Sequence, residues 1–127
     1  MKVETERYLA KARQMLGEAR TAAGVELADA PGRASYLAAF HAAQALIFER
    51  SGKASKTHRG VHIQFARLTK NEPNVSPELR EFLPQSYNLK AVADYEIGPD
   101  ATVPLAEAIA AISTAERFVD RIAELVT

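Results

Sequence analysis

Apolar side chains return at steps of three and four along almost the whole chain, the spacing that lines one face of a helix. Between Lys2 and Leu27 the series is Val3, Leu9, Ala12, Leu16, Ala19 and Ala23, set among the strong helix formers Ala, Glu, Lys and Arg. One long amphipathic helix is predicted there. Ala30-Pro31-Gly32 reads as punctuation, after which Tyr36, Phe40, Ala43 and Ile47, flanked by Leu37 and Leu46, predict a second, more apolar helix ending near Gly52. Val61, Phe65 and Leu68 predict a short third helix between Gly60 and Lys70. Ser76-Pro77 supplies an N-cap and a first-position proline for a fourth, which carries Leu79, Phe82, Leu83, Tyr87, Val92 and Tyr95. Pro84 within it predicts a bend and a break. Gly98-Pro99-Asp100 closes that helix, and Thr102 with Pro104 opens a last one striped by Leu105, Ile109, Ile112, Ala115, Val119 and Ile122. No strand pattern competes. The expectation is an all-α fold, an up-and-down bundle of four to five helices in a single domain over residues 1–127.

Composition narrows the chemistry. With 127 residues, 47% of them hydrophobic, the chain can bury a full core without a metal or disulfide staple. The absence of cysteine excludes disulfide frameworks, Cys-ligated zinc, iron–sulfur clusters and thiol nucleophiles. Nowhere do about 18 uninterrupted apolar residues occur, and the charged start Met1–Arg7 has no apolar stretch behind it. A cytoplasmic protein with neither a simple export signal nor a membrane span is expected.

Formal charge sums to zero, from 16 Lys and Arg against 16 Asp and Glu, but it is unevenly distributed. From Arg50 to Lys70 stand Arg50, Lys53, Lys56, Arg59, Arg67 and Lys70, with His58 and His62 and no carboxylate. From Asp94 onward the balance is acidic. A basic stretch of this kind can grip phosphates of RNA or a nucleotide. It can equally be a solvated loop that pairs with the acidic last helix.

Four features of the sequence are candidates for chemistry. Gly52-Lys53-Ala54-Ser55 looks like part of a phosphate loop, but Ile47 stands where the earlier glycine belongs and no strand precedes it. His58 and His62 share a helix face, yet their Lys and Arg neighbours disfavour a metal ion, so they read as surface or helix-start histidines. The carboxylate and Glu-x-x-His pairs of bundle metalloproteins are missing, and neither metal nor cofactor is expected. His41, between Phe40 and Ala42 on the apolar second helix, is either a packed, hydrogen-bonded histidine or a functional base. Lys90 and Asp94 share one helical face with Tyr95 about one residue round, either a plain i,i+4 ion pair or a reactive helix end.

Taken together, Tyr36–Leu46, Lys56–Val61 with Phe65, and Ala93-Asp94-Tyr95 resemble, in order and spacing, the small single-domain HEPN proteins. Ala115–Val119 on the last helix is similar too, so the resemblance spans nearly the whole chain. It implies an all-α bundle, usually a homodimer, frequently encoded beside a small nucleotidyltransferase as a toxin–antitoxin-type pair. Many members of the family are metal-independent ribonucleases that place an Arg and, four to six residues later, a His around the RNA phosphate. Lys90 stands at the Arg position here and Tyr95 at the His position. Lysine can neutralise a phosphate without arginine's bidentate fork, whereas a phenol is a poor base at neutral pH. A tyrosine two residues past the His can be the partner enzyme's modification target, and Ile97 occupies that position.

The reading that follows is RNA or nucleotide binding near Lys90, Asp94 and Tyr95, with Lys53, Lys56, His58 and Arg59 as phosphate contacts. If RNA is cut, Lys90 stabilises the phosphate and Asp94 or His41 handles protons. The rival reading is a non-catalytic interaction module that pairs with a nucleotidyltransferase.

Overall fold

The computed structural model describes residues 1–25, 29–95 and 103–127. These contain five helices, α1 (Val3–Gly24), α2 (Asp29–Ser51), α3 (His58–Thr69), α4 (Pro77–Tyr95) and α5 (Leu105–Val126), and no strand. Helix α2 is the axis of the bundle and packs against all four others. Its composition explains this, because six alanines on it are buried (34, 38, 39, 42, 43 and 45), and Gly32 near its start is buried too, so neighbours approach from several sides.

Pro31 and Gly32 do not separate helices; they lie in the first turns of α2. The N–H groups of a first turn have no intrahelical partner, so a proline there sacrifices nothing. Gly32 allows a close approach: a Cβ added to it would sit 3.3 Å from Val103 and 3.5 Å from Leu89, a tight fit. Helix α4 likewise runs unbroken through Pro84. That residue is exposed, and water can satisfy the carbonyl its missing N–H leaves free. The expected end of the first helix at Leu27, the Gly98-Pro99-Asp100 stop and Thr102 lie outside the described residues.

Facing positions also shift. Val3 and Ile109 are exposed, while Thr5 is fully buried because its hydroxyl donates to Glu49 Oε1 at 3.0 Å. The same oxygen accepts from the Lys2 backbone N–H at 2.8 Å, fastening the start of α1 to the end of α2. On the far side, Phe118 of α5 reaches Phe65 of α3 and Phe82 of α4. No helix among the described residues is long and apolar enough to cross a membrane.

Candidate functional site

The site forms where α3 begins, against one face of α2 and the last turns of α4. Arg33, Tyr36 and Phe40 follow one another at helical spacing on α2, and Tyr87, Lys90 and Asp94 do so on α4. Thr57 caps α3, accepting the Gly60 N–H at 3.0 Å, which leaves the N–H groups of His58 and Arg59 directed ahead of the helix. Thr57→Ala is expected to lower stability by about 1 kcal/mol, read from the urea midpoint, because it removes the side-chain acceptor of the Gly60 N–H.

Two connected clusters occupy this place. In the first, Lys90 Nζ lies 2.9 Å from Asp94 Oδ2 and donates to the Tyr95 hydroxyl at 2.9 Å, and Arg33 Nε pairs with Asp94 Oδ1 at 3.1 Å. Lys90 is only 6% exposed, shielded by the exposed Tyr95 ring whose centroid is 4.5 Å from the ammonium. Hydrogen bonds to Tyr95 and Asp94 raise the Lys90 pKa. Burial pushes the Asp94 carboxyl up, but the hydrogen bonds and charges of Lys90 and Arg33 outweigh it and hold the carboxyl below its ordinary range. An anion clamped in this way is a poor proton donor or acceptor at neutral pH.

In the second cluster the buried Tyr36 hydroxyl lies 2.7 Å from His58 Nδ1 and 2.8 Å from His62 Nε2. The Tyr87 ring packs against both imidazoles, with centroids at 5.3 and 5.6 Å, and Lys90 follows one turn later. Burial lowers the pKa of both rings, with Lys90 adding to the effect on His58 and His58 to that on His62. Burial also raises the Tyr36 pKa, so the phenol stays protonated. These histidines are therefore half-buried members of a hydrogen-bonded cluster, not the surface residues their spacing suggested. Their two inward nitrogens are taken by Tyr36, and among the described residues no group of three or more His, Asp or Glu side chains could hold a metal ion.

The structure brings Lys90, Asp94, Tyr95 and His58 together, with Lys56 and Arg59 flanking His58 in the chain. It leaves His41 and Lys53 elsewhere. His41 lies five residues beyond Tyr36, about 140° round the helix. It faces α1, where it lines a cavity with Glu4, Arg7, Tyr8 and Lys11, and its Nδ1–H donates to Gln44 Oε1 at 2.8 Å. Lys53 follows the C-terminal end of α2, which by helical rise is about 27 Å from Arg33. Nor does the basic stretch pair with the acidic last helix: among the described residues Asp120 and Glu116 pair with Arg13 and Arg20 of α1, and Glu124 with Arg121. Arg33, Tyr36, His62 and Tyr87 are the site residues that sequence reasoning missed. The available signal was a tyrosine, rather than phenylalanine, at a core position opposite a His-x-x-x-His pair.

Compared with known protein families, the chain matches the HEPN domain over residues 5–125. It belongs to the HEPN family. No curated protein matches it significantly. Membership supports, at the level of the family, a nucleotide- or RNA-related or toxin–antitoxin-like role. Within this HEPN domain, Lys90 donates to the Tyr95 hydroxyl and pairs with Asp94, so its ammonium is engaged by both.

The histidines of this HEPN domain also set its acid sensitivity. His41, His58 and His62 all have folded pKa values below 6.5, burial being the largest cause for each. Near that pH the unfolded chain binds protons that the folded chain refuses, so stability is complete above about pH 7 and falls as pH drops through 6.5. Asp94, with a lowered folded pKa, adds a further loss below about pH 4. Urea midpoints should therefore be lower at pH 5.5 than at pH 7.5, and the His58→Gln, His62→Gln double variant should flatten the difference. Equal midpoints at the two pH values would contradict the burial of these rings.

Proposed function

We propose that this HEPN domain binds the phosphate groups of RNA or of a nucleotide where the first turn of α3 meets Lys90. The observation that carries this is the concentration of positive charge there: Lys56, Arg59, Lys90 and the leading N–H groups of α3, with Asp94 the one described carboxylate in contact and Arg33 already balancing it. A helix N-terminus and a cluster of cations favour an anion by the same electrostatics. Lys56 and Arg59 are exposed and have no ion-pair partner among the described residues. They are the phosphate contacts, and the covered Lys90 ammonium adds its charge.

Binding of a labelled single-stranded oligoribonucleotide should weaken steeply with salt, by about 0.7 in log–log slope for each phosphate neutralised. The Lys56→Ala, Arg59→Ala double variant should reduce that slope by about 1.4 and weaken binding at low salt. Failure of the wild type to bind oligoribonucleotides or nucleotides at low salt would overturn this reading.

A second reading, docking of a partner protein, draws on Ile63 and Leu68, large apolar residues exposed on the same helix as the basic stretch. A nucleotidyltransferase and a second copy of the chain are the proposed partners, in a toxin–antitoxin-type system. Association through these residues would resist salt where phosphate binding does not.

A further inference from the structure

The Tyr36 hydroxyl has one proton and two imidazole nitrogens within hydrogen-bond distance, His58 Nδ1 at 2.7 Å and His62 Nε2 at 2.8 Å. It donates to one ring and accepts from the other. A neutral imidazole carries a single N–H. The ring that accepts from Tyr36 therefore holds its proton on the outward nitrogen, and the ring that donates to Tyr36 presents an outward lone pair. The outward atoms are His58 Nε2 and His62 Nδ1. Neither has a hydrogen-bond partner among the described residues, and neither is among the side-chain atoms sealed from solvent without one. One outward nitrogen is thus a base whenever the other is an acid.

The surroundings keep the arrangement in this state. Tyr36 is fully buried, wedged between Phe40 at 5.9 Å and Tyr87 at 5.2 Å between ring centroids. Phe40 also packs against His58 at 4.9 Å. Burial favours the neutral form of both rings, with the Lys90 charge adding to this at His58.

We propose that His58 and His62 form a reciprocal acid–base pair, coupled through the Tyr36 hydroxyl, that acts on a phosphodiester with a hydroxyl on the neighbouring carbon, as in RNA. This rests on the phosphate-binding reading above. The substrate hydroxyl attacks phosphorus and gives its proton to His58 Nε2. The His58 Nδ1 proton moves to Tyr36 Oη, the Tyr36 proton moves to His62 Nε2, and the His62 Nδ1 proton goes to the departing 5′-oxygen. One P–O bond forms and one breaks, leaving a 2′,3′-cyclic phosphate and a 5′-hydroxyl. All three protein groups end neutral, with the roles of the histidines exchanged. Attack of water on the cyclic phosphate, running the protons the other way, restores the starting state. The extra negative charge on phosphorus is stabilised by Lys90, Arg59 and the start of α3. His58 and His62 are the catalytic residues, and Tyr36 is a positioning residue that acts through them.

The test uses the full chain in chelator, with a labelled oligoribonucleotide and a 2′-deoxy counterpart, following cleavage by gel and binding by anisotropy in the same samples. The wild type should cut only the ribose strand and leave cyclic phosphate ends. Tyr36→Phe should slow cleavage by about 100-fold or more while binding is retained. Should that variant fail to fold, His62→Gln carries the same expectation. The wild-type rate should rise with pH and then level off, because the relay needs both rings neutral, without the alkaline fall that a free imidazolium acid would produce. RNA bound but left intact, or cut equally fast by Tyr36→Phe, would overturn the acid–base pair and leave the phosphate-binding reading standing. Absence of binding would overturn both.

Discussion

Phe118→Ala is expected to lower the stability of the domain by about 3–5 kcal/mol, the largest loss predicted for a single substitution here. Phe118 is 1% exposed, and its ring centroid lies 5.2 Å from Phe65 and 6.2 Å from Phe82. Helix α3 packs its backbone on α2 and α4, so this ring is its link to α5. Removing it discards the transfer free energy of the ring, the aromatic contacts with two other helices, and the packing around the space left behind. In a domain of this size the melting temperature should fall by about 10–20 °C. Phe118→Leu fills much of the space and should cost less than half as much. A loss below about 1 kcal/mol for the alanine variant would show that the three rings do not meet.

Asp94→Ala and Lys90→Met should differ in size although they break the same ion pair. Without Asp94, the Lys90 ammonium stays covered at 6% exposure with the Tyr95 hydroxyl as its described partner and the Arg33 charge left unbalanced nearby. Stranding a covered charge in this way should cost about 2–4 kcal/mol. Lys90→Met keeps the aliphatic packing and removes the charge. Asp94 then retains Arg33 at 3.1 Å, and its side chain, 23% exposed, is reached by water. That variant should lose about 1 kcal/mol or less. Phosphate binding should respond with opposite signs, weakening in Lys90→Met and strengthening in Asp94→Ala, which makes the start of α3 more positive. Urea midpoints and low-salt titrations with an oligoribonucleotide measure both effects. A larger destabilisation by Lys90→Met would mean that the carboxylate, not the ammonium, is the group that depends on its partner.

The spacing of apolar residues was enough to place five helices, since a 3.6-residue stripe is a local property of the chain. It failed at Pro31, Gly32 and Pro84, where local rules predicted interruption. A proline in a first turn and one on a solvent-facing side both leave the helix intact, and position within the helix decides that, not residue type. Thr5 shows the converse. A polar residue is buried because Glu49, far along the chain, supplies its acceptor.

Within the site, the Lys90–Asp94 pair and its neighbour Tyr95 were legible because helical geometry alone brings residues four and five apart onto adjoining positions. The partnership of Tyr36 with His58 and His62 was not legible, nor was that of Arg33 with Asp94. Each joins different helices, and periodicity says which face is apolar without saying which residue it meets. Likewise charge counting identified the basic stretch but not its division, in which the turn at His58 comes to Lys90 and Lys53 stays at the far end of α2. The sequence by itself therefore determined the helices, the apolar faces and the uneven charge, all of which follow from spacing along one chain. Only the tertiary structure decided which hydroxyl lies between the two histidines and which arginine joins the Lys90–Asp94 pair, because hydrogen bonds between helices depend on packing distances of a few ångströms that no local pattern encodes.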